Sequence, residues 1–242
     1  MQRRDFPRTM RLIVLFLRPL LMVLTKRDWQ GQEKLPSGGF VLAPNHISHL
    51  DPFLISHFMV DQGISPRFLA KDTLMSLPVG GRILRNAEQI PVYRSTSGAA
   101  ESLRAAIAAV EAGSVVTIYP EGTITRDPGA WPMSGRTGAV RVALATGRPL
   151  VPVVQWGPQD LLWPYSKKLR LFPRKTIHVR VGDPVDLSDL EGRELTEGLL
   201  DTATNRLMDT LTAMMAEVRG ELPTTPRIDV HSLGRPKSNY KP

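Results

Sequence analysis

The segment Phe40-Val41-Leu42-Ala43-Pro44-Asn45-His46-Ile47-Ser48-His49-Leu50-Asp51-Pro52 sets the architecture. Its opening apolar run, bounded by Gly38-Gly39 and Pro44, is too short for a helix and predicts a buried strand. Pro52 suits the first turn of a following helix, so Asn45, His46, His49 and Asp51 fall where a strand hands over to a helix. Strand ends of this kind are where α/β proteins place reactive groups. Five residues of regular helix would put His46 and Asp51 on different sides, but a turn lets the carboxylate fold back onto the imidazole. Asp51 would then fix the ring tautomer and leave the other nitrogen free to act as a base. Two further readings of these residues stay open: Asp51 as a plain helix cap before proline, and His46, His49 and Asp51 as metal ligands.

Outward from this segment the same alternation repeats. Short apolar runs recur at Phe68-Leu69-Ala70, Ile90-Pro91-Val92, residues 115–119 and residues 150–154, and Ile177, Val179 and Val181 alternate with His178 and Arg180 in an edge-like pattern. Helical spacing separates them. Leu103, Ile107 and Val110 lie between Gly98 and a stop at Gly113, residues 139–146 end at Gly147, and Thr196 caps a long helix that ends at Gly220. Strands alternating with helices predict one α/β domain, a mixed, largely central sheet flanked by helices. The expected divisions are an amphipathic N-terminal segment over 1–32, the main domain over 33–222 and a loose proline-rich tail over 223–242.

Composition narrows the chemistry. The 242 residues are 42% hydrophobic and 22% charged, which excludes a disordered or polytopic membrane chain. No cysteine is present, so thiolate nucleophiles, disulfides and Cys-type metal sites are excluded, and a cytosolic setting is expected. A formal net charge of +8 points to phosphate-bearing partners: anionic lipid, nucleic acid or a phosphorylated small molecule. A non-enzymatic basic membrane- or nucleic-acid-binding module stays open as an alternative on this charge, although aromatics at 6% and the absence of a nucleic-acid motif weigh against it and it does not explain His46 and Asp51.

The N-terminal run from Met10 to Thr25 would be about 24 Å long as a helix, short of the roughly 30 Å needed to span a bilayer. Arg18-Pro19 is read as interrupting it, and Lys26-Arg27-Asp28-Trp29 follows in place of a small-residue cleavage site. On a helical projection Arg4, Arg8, Arg11, Arg18 and Lys26 fall within an arc of roughly 80°, opposite a wide apolar face. Such a helix lies in the headgroup layer with Trp29 as an interfacial anchor, or packs on the domain's own core.

Three more segments carry polar side chains at strand ends. Pro120-Glu121-Gly122-Thr123 follows the run at 115–119; Glu121 can accept hydrogen bonds from a substrate hydroxyl and Gly122 allows close backbone approach, although the same four residues also make an ordinary turn. Arg94 ends Gln89-Ile90-Pro91-Val92-Tyr93-Arg94 and can grip a phosphate, or stand solvated. Pro149 and Pro152 flank a short strand and read as structural.

In order and spacing these four segments resemble the glycerolipid acyltransferase family that includes the 1-acyl-glycerol-3-phosphate acyltransferases. The resemblance spans roughly residues 35–185. His46 and Asp51 match the family's H-x-x-x-x-D motif with Asn45 before the histidine, and Pro120–Thr123 match its P-E-G-T block. Gln89–Arg94 match its arginine-bearing block, Pro149–Pro152 its proline-rich block, and Lys71 a lysine that often precedes the second block. Two departures stand out: Ile124 follows Thr123 where the family commonly has arginine, with Arg126 two positions on, and Arg136 stands where a lysine is usual. The resemblance implies acyl transfer from acyl-CoA or acyl carrier protein to the free hydroxyl of 1-acyl-glycerol 3-phosphate, giving phosphatidic acid; glycerol 3-phosphate or another lysophospholipid is the alternative acceptor. It implies His46 as base oriented by Asp51, with no acyl-enzyme. Asn45, Lys71, Arg94, Glu121, Gly122, Thr123, Arg126 and Arg136 are implied in substrate binding. It implies no metal or prosthetic group, a lysophospholipid acceptor and a membrane surface as partners with no nucleic acid, and a place on the cytoplasmic face of the cell membrane.

Overall fold

The computed structural model describes residues 6–92, 96–230 and 232, the side chains of 96 and 97 excepted. Among the described residues, seven strands form one mixed sheet: β1 (Thr25–Gln30), β2 (Phe40–Pro44), β3 (Arg67–Lys71), β4 (Ile90–Val92), β5 (Val115–Thr117), β6 (Leu150–Trp156) and β7 (Lys175–Val181), in the order β1-β7-β6-β2-β5-β3-β4. From β6 to β4 all neighbours are parallel, while β7 runs antiparallel to β6 and carries β1 parallel to itself at the far edge. Every residue of β2 is buried.

Side chains alternate across the sheet, so β2 feeds two cores. Val41 and Ala43 join α5 (Thr96–Glu111), α6 (Gly138–Thr146) and α8 (Glu197–Arg219) on one face. Phe40 and Leu42 join Leu54, Ile55, Phe58 and Met59 of α2 (Asp51–Asp61) on the other. This double cover is why the central strands read as continuous apolar runs. The helix limits follow local chemistry: the Thr196 side chain accepts from the Leu199 amide, and Gly147 and Gly220 end α6 and α8 with φ of 59° and 68°.

Four expectations change. First, α1 (Arg8–Leu24) runs unbroken through Pro19, because Met10, Ile13, Val14, Leu17 and Leu21 seat its inner stripe on the domain. Arg18 leaves the supposed lipid-facing arc to pair with Asp61 at 2.6 Å, and Arg27 joins the same carboxylate at 2.9 Å; Arg4 lies outside the described residues. Second, residues 25–30 extend the sheet as β1, so β7 is not an edge strand, Lys26 sits on a strand, and Trp29 packs edge-on against His57 and Phe58 inside the protein. Third, α3 (Asp72–Met75) and α4 (Pro78–Asn86) fill a stretch without predicted structure. Fourth, the segment read as a loose tail from Pro223 is docked as far as Val230: Ser134 donates its amide to Ile228 O at 2.9 Å, and the Val230 amide donates to Ser134 Oγ at 2.8 Å.

Candidate active site

β2 delivers His46 from the centre of the sheet to its C-terminal end, and the chain then turns sharply into α2. That turn brings the Asp51 carboxylate back. Its Oδ2 lies 2.8 Å from His46 Nδ1 and also accepts the amides of Ile47 at 2.6 Å and Ser48 at 2.9 Å. The carboxylate thus takes amides of the preceding turn and none of α2, so Asp51 is no helix cap. Asp51 is wholly buried, and burial pushes its carboxyl upward against the opposing pull of His46 and the two amides.

A second buried carboxylate holds the backbone of His46. Glu121 Oε1 accepts the His46 amide at 2.9 Å and Oε2 accepts the Met133 amide at 3.1 Å. On the other side of the residue, the Thr125 amide donates to His46 O at 2.7 Å. The loop after β5 therefore clamps His46 through both of its peptide groups. Glu121 has no exposed surface, and burial raises its carboxyl to about 8 against the lowering effect of its two amide donors. Its side chain supports the base from behind instead of projecting to a ligand.

Tyr119, which sequence reasoning passed over, completes the setting. Its ring stacks on His46 with centroids 4.2 Å apart and planes at 24°, and Phe68 stacks behind it at 6.2 Å. The ring of Tyr119 and that of His46 both face an apolar cavity of about 670 Å³ enclosed by α1, α2 and the α3–α4 region. Lys71 and His49 line it too. Burial, then the neighbouring His46, lowers the His49 pKa. Tyr165 is a second residue with no signal in the sequence: at φ 59° it sets its ring edge-on to His49 and donates its hydroxyl to Ile124 O at 2.7 Å.

The remaining residues singled out in the sequence distribute as follows. Asn45 is buried behind the site in a reciprocal pairing with Gln155: Asn45 Oδ1 accepts the Gln155 amide at 2.8 Å, and Gln155 Nε2 donates to Asn45 O at 3.1 Å. Gly122 has φ 65°, and a Cβ there would stand 2.9 Å from Arg136 Cδ, so the exposed Arg136 lies across the Gly122 turn. Thr123 Oγ1 is 3.4 Å from Tyr165 OH, and Arg126 is half-buried beside Met133. Ile124 points into the protein at 5% exposure, so it presents nothing to a ligand. Arg94 lies outside the described residues.

Comparison with known proteins supplies the context. A family model described as Acyltransferase matches residues 26–156, more than half of the chain. No curated protein sequence matches. Among solved structures, the 1-acyl-sn-glycerophosphate (LPA) acyltransferase PlsC from Thermotoga maritima superposes with a TM-score of 0.66 and 23% identity, covering 89% of this chain and 81% of that one. The shared feature at that identity is the α/β fold.

The buried Glu121 makes a thermodynamic prediction. Its carboxyl, raised to about 8 from an ordinary 4.5, keeps a proton in the folded state that the unfolded chain has lost. Its contribution to stability is therefore complete below the lower value and disappears as pH rises through the upper one, at up to about 1.4 kcal/mol per pH unit. Urea unfolding from pH 5 to 9 should show stability falling with pH, and Glu121→Gln should flatten the fall. An identical slope in both proteins would show that Glu121 titrates normally.

Proposed function

The chain belongs to the acyltransferase family, and on that premise we propose that it acylates the free hydroxyl of 1-acyl-glycerol 3-phosphate, taking the acyl group from acyl-CoA or an acyl carrier protein. The observation that carries the reading is the 2.8 Å contact between His46 Nδ1 and a buried Asp51 carboxylate at the head of an apolar cavity. An alcohol is a weak nucleophile at its own pKa, and catalysis needs a base positioned at its proton. With Nδ1–H donated to Asp51, the lone pair of Nε2 is available. His46 Nε2 removes the hydroxyl proton as the oxygen attacks the thioester carbonyl; the tetrahedral intermediate collapses, the C–S bond breaks, and the same proton passes to the departing thiolate. Asp51 stabilises the imidazolium between these steps. No acyl-enzyme forms and no metal takes part.

The cavity suits an acyl chain, since its walls are apolar side chains of α1, α2, α3 and α4. Lys71 lines the same cavity as His46 and is the cation there that would meet the acceptor phosphate. Arg136 and Thr123 stand at the Gly122 turn, with Arg126 as a further cation of that loop. Tyr119 limits the swing of the imidazole by stacking, and Glu121 and Thr125 fix its backbone. Asn45 serves by holding β2 to β6.

Delivery of the acceptor from a bilayer is supported by the second apolar stripe of α1. While Met10, Ile13, Val14 and Leu17 face the domain, Leu12, Leu15, Phe16, Leu20 and Val23 stand exposed, Phe16 at 74%. Among the described residues no helix is long and apolar enough to cross a membrane, so α1 would lie along the surface of the leaflet, on the cytoplasmic face where thioester donors are made.

Free-thiol release from acyl-CoA tests the reaction. Wild type should release thiol in proportion to added 1-acyl-glycerol 3-phosphate and less with glycerol 3-phosphate or a headgroup-bearing lysophospholipid. His46→Ala should lose at least a thousandfold in kcat while keeping its circular dichroism and its vesicle binding. Full turnover in folded His46→Ala would rule out the mechanism, and preference for another acceptor would reassign the substrate within the family.

A further inference from the structure

Asp51 engages only one of its two carboxylate oxygens in the contacts described above. Oδ2 takes the His46 imidazole and two amides, whereas Oδ1, equally buried, has no hydrogen-bond partner among the described residues. Two more buried polar atoms near it share that condition, the Tyr119 hydroxyl and Gln155 Oε1. Buried oxygens are nearly always satisfied in folded proteins, so three together call for an explanation.

The three atoms come from chain segments that meet behind His46. Gln155 lies on β6 and is held by its reciprocal pairing with Asn45, the residue before the histidine. Its Nε2 donates to Asn45 O at 3.1 Å, which sets the orientation of the amide and leaves Oε1 over. Tyr119 follows β5, on the other side of β2, and its ring lies on His46 at 4.2 Å. The hydroxyl responds to both neighbours: burial holds its pKa well above the ordinary value, the Asp51 charge adds to the rise, and the Gln155 side chain opposes it. Tyr119 therefore keeps its proton at neutral pH and is available as a donor. Gln155 is close enough to act on it without a contact of hydrogen-bond geometry.

A count of protons decides what completes the cluster. A carboxylate oxygen and an amide oxygen only accept, and the tyrosine has one proton to give. Direct contact of the hydroxyl with either oxygen leaves the other unmet. A water molecule accepts from Tyr119 and donates to both oxygens, making the three bonds usual for a buried water. A metal ion would take the oxygen lone pairs and leave the hydroxyl proton without an acceptor.

We propose that one water molecule is bound between Tyr119 OH, Asp51 Oδ1 and Gln155 Oε1, and that through it Tyr119 and Gln155 are positioning residues of the His46–Asp51 pair. The inference rests on the preceding reading that this pair is the base, and gives the stacked tyrosine a task its ring alone does not perform. The bridge donates to Oδ1, stabilises the charge of the carboxylate and resists its rotation, which keeps Oδ2 on Nδ1. The other titratable groups around the pair act elsewhere: Glu121 takes the His46 amide, and His49 and Lys71 line the cavity.

Tyr119→Phe tests this, because it keeps the ring and removes only the hydroxyl. A crystal structure of the wild type should show one solvent peak within hydrogen-bond reach of all three oxygens, and that of the variant should lack it. With circular dichroism and the KM for acyl-CoA unchanged, kcat should fall about ten- to a hundredfold, the range for losing one hydrogen bond to a charged group. The pair is an anion when the imidazole is neutral, and one more proton neutralises it. Removing a donor that stabilises the anion should therefore move the protonation of the pair to higher pH, both in the acid limb of kcat/KM and in a substrate-free histidine NMR titration. Tyr119 bonded directly to Asp51 or Gln155 with no solvent peak would overturn the inference, as would a peak that anomalous scattering identifies as a metal. A peak with unchanged kcat and titration would also overturn it, by making the water structural only. Density and NMR titration need no substrate, so a wild type inactive on every acceptor would defeat the proposed function while these two results still decide the bridge.

Discussion

One carboxylate oxygen holds the candidate site together. Oδ2 of Asp51 receives the His46 imidazole and the amides of Ile47 and Ser48, three donors on a single atom with no solvent. Burying a carboxylate is costly unless it is well paired, and the three donors offset that cost only in the folded geometry. The six-residue connection from β2 to α2 is therefore bound to one conformation. Pro52 adds to this by starting α2 immediately after the aspartate.

A base that must accept and return a proton needs a ring that does not wander, and this chain restrains it on every side. Asp51 fixes one ring nitrogen, Tyr119 covers a ring face, and Glu121 and Thr125 bind the two peptide groups of His46. The loop that provides Glu121 is itself secured from the far end of the chain. Arg219, near the end of α8, lies between the rings of Trp131 and Trp156 at 4.0 and 4.4 Å and donates to Gly129 O at 2.6 Å. The two buried carboxylates also oppose one another: Asp51 adds to the upward shift of Glu121, which leaves Asp51 the better candidate for the charged partner of an imidazolium.

The alternating architecture was readable because glycine and proline punctuate it: Gly113, Gly147 and Gly220 stop helices where expected, and Pro44 and Pro52 bracket the turn that carries His46. The approach of Asp51 to His46 was readable as a possibility of that turn. What escaped had local signals pointing elsewhere. The charges in Lys26-Arg27-Asp28 resemble a flank to a membrane helix, yet an edge strand paired on one side tolerates them. Gly80 and Gly81 weaken the helical pattern of α4, although Gly81 is what permits its contact with α3. Glu121 shows the limit for site residues, since its sequence context fits a ligand contact and a backbone brace equally well. Only the two amides it accepts distinguish them.

The central claim is that Asp51 sets the His46 ring with its proton on Nδ1 and its lone pair on Nε2. The direct measurement is long-range proton–nitrogen correlation NMR on histidine-labelled protein at pH 8, with Asp51→Asn to assign the signal. The account predicts a neutral His46 ring in the Nδ1–H tautomer in the wild type, lost or mixed in the variant. A wild-type ring in the Nε2–H tautomer would contradict it, because the nitrogen facing the cavity would then hold a proton it is required to accept.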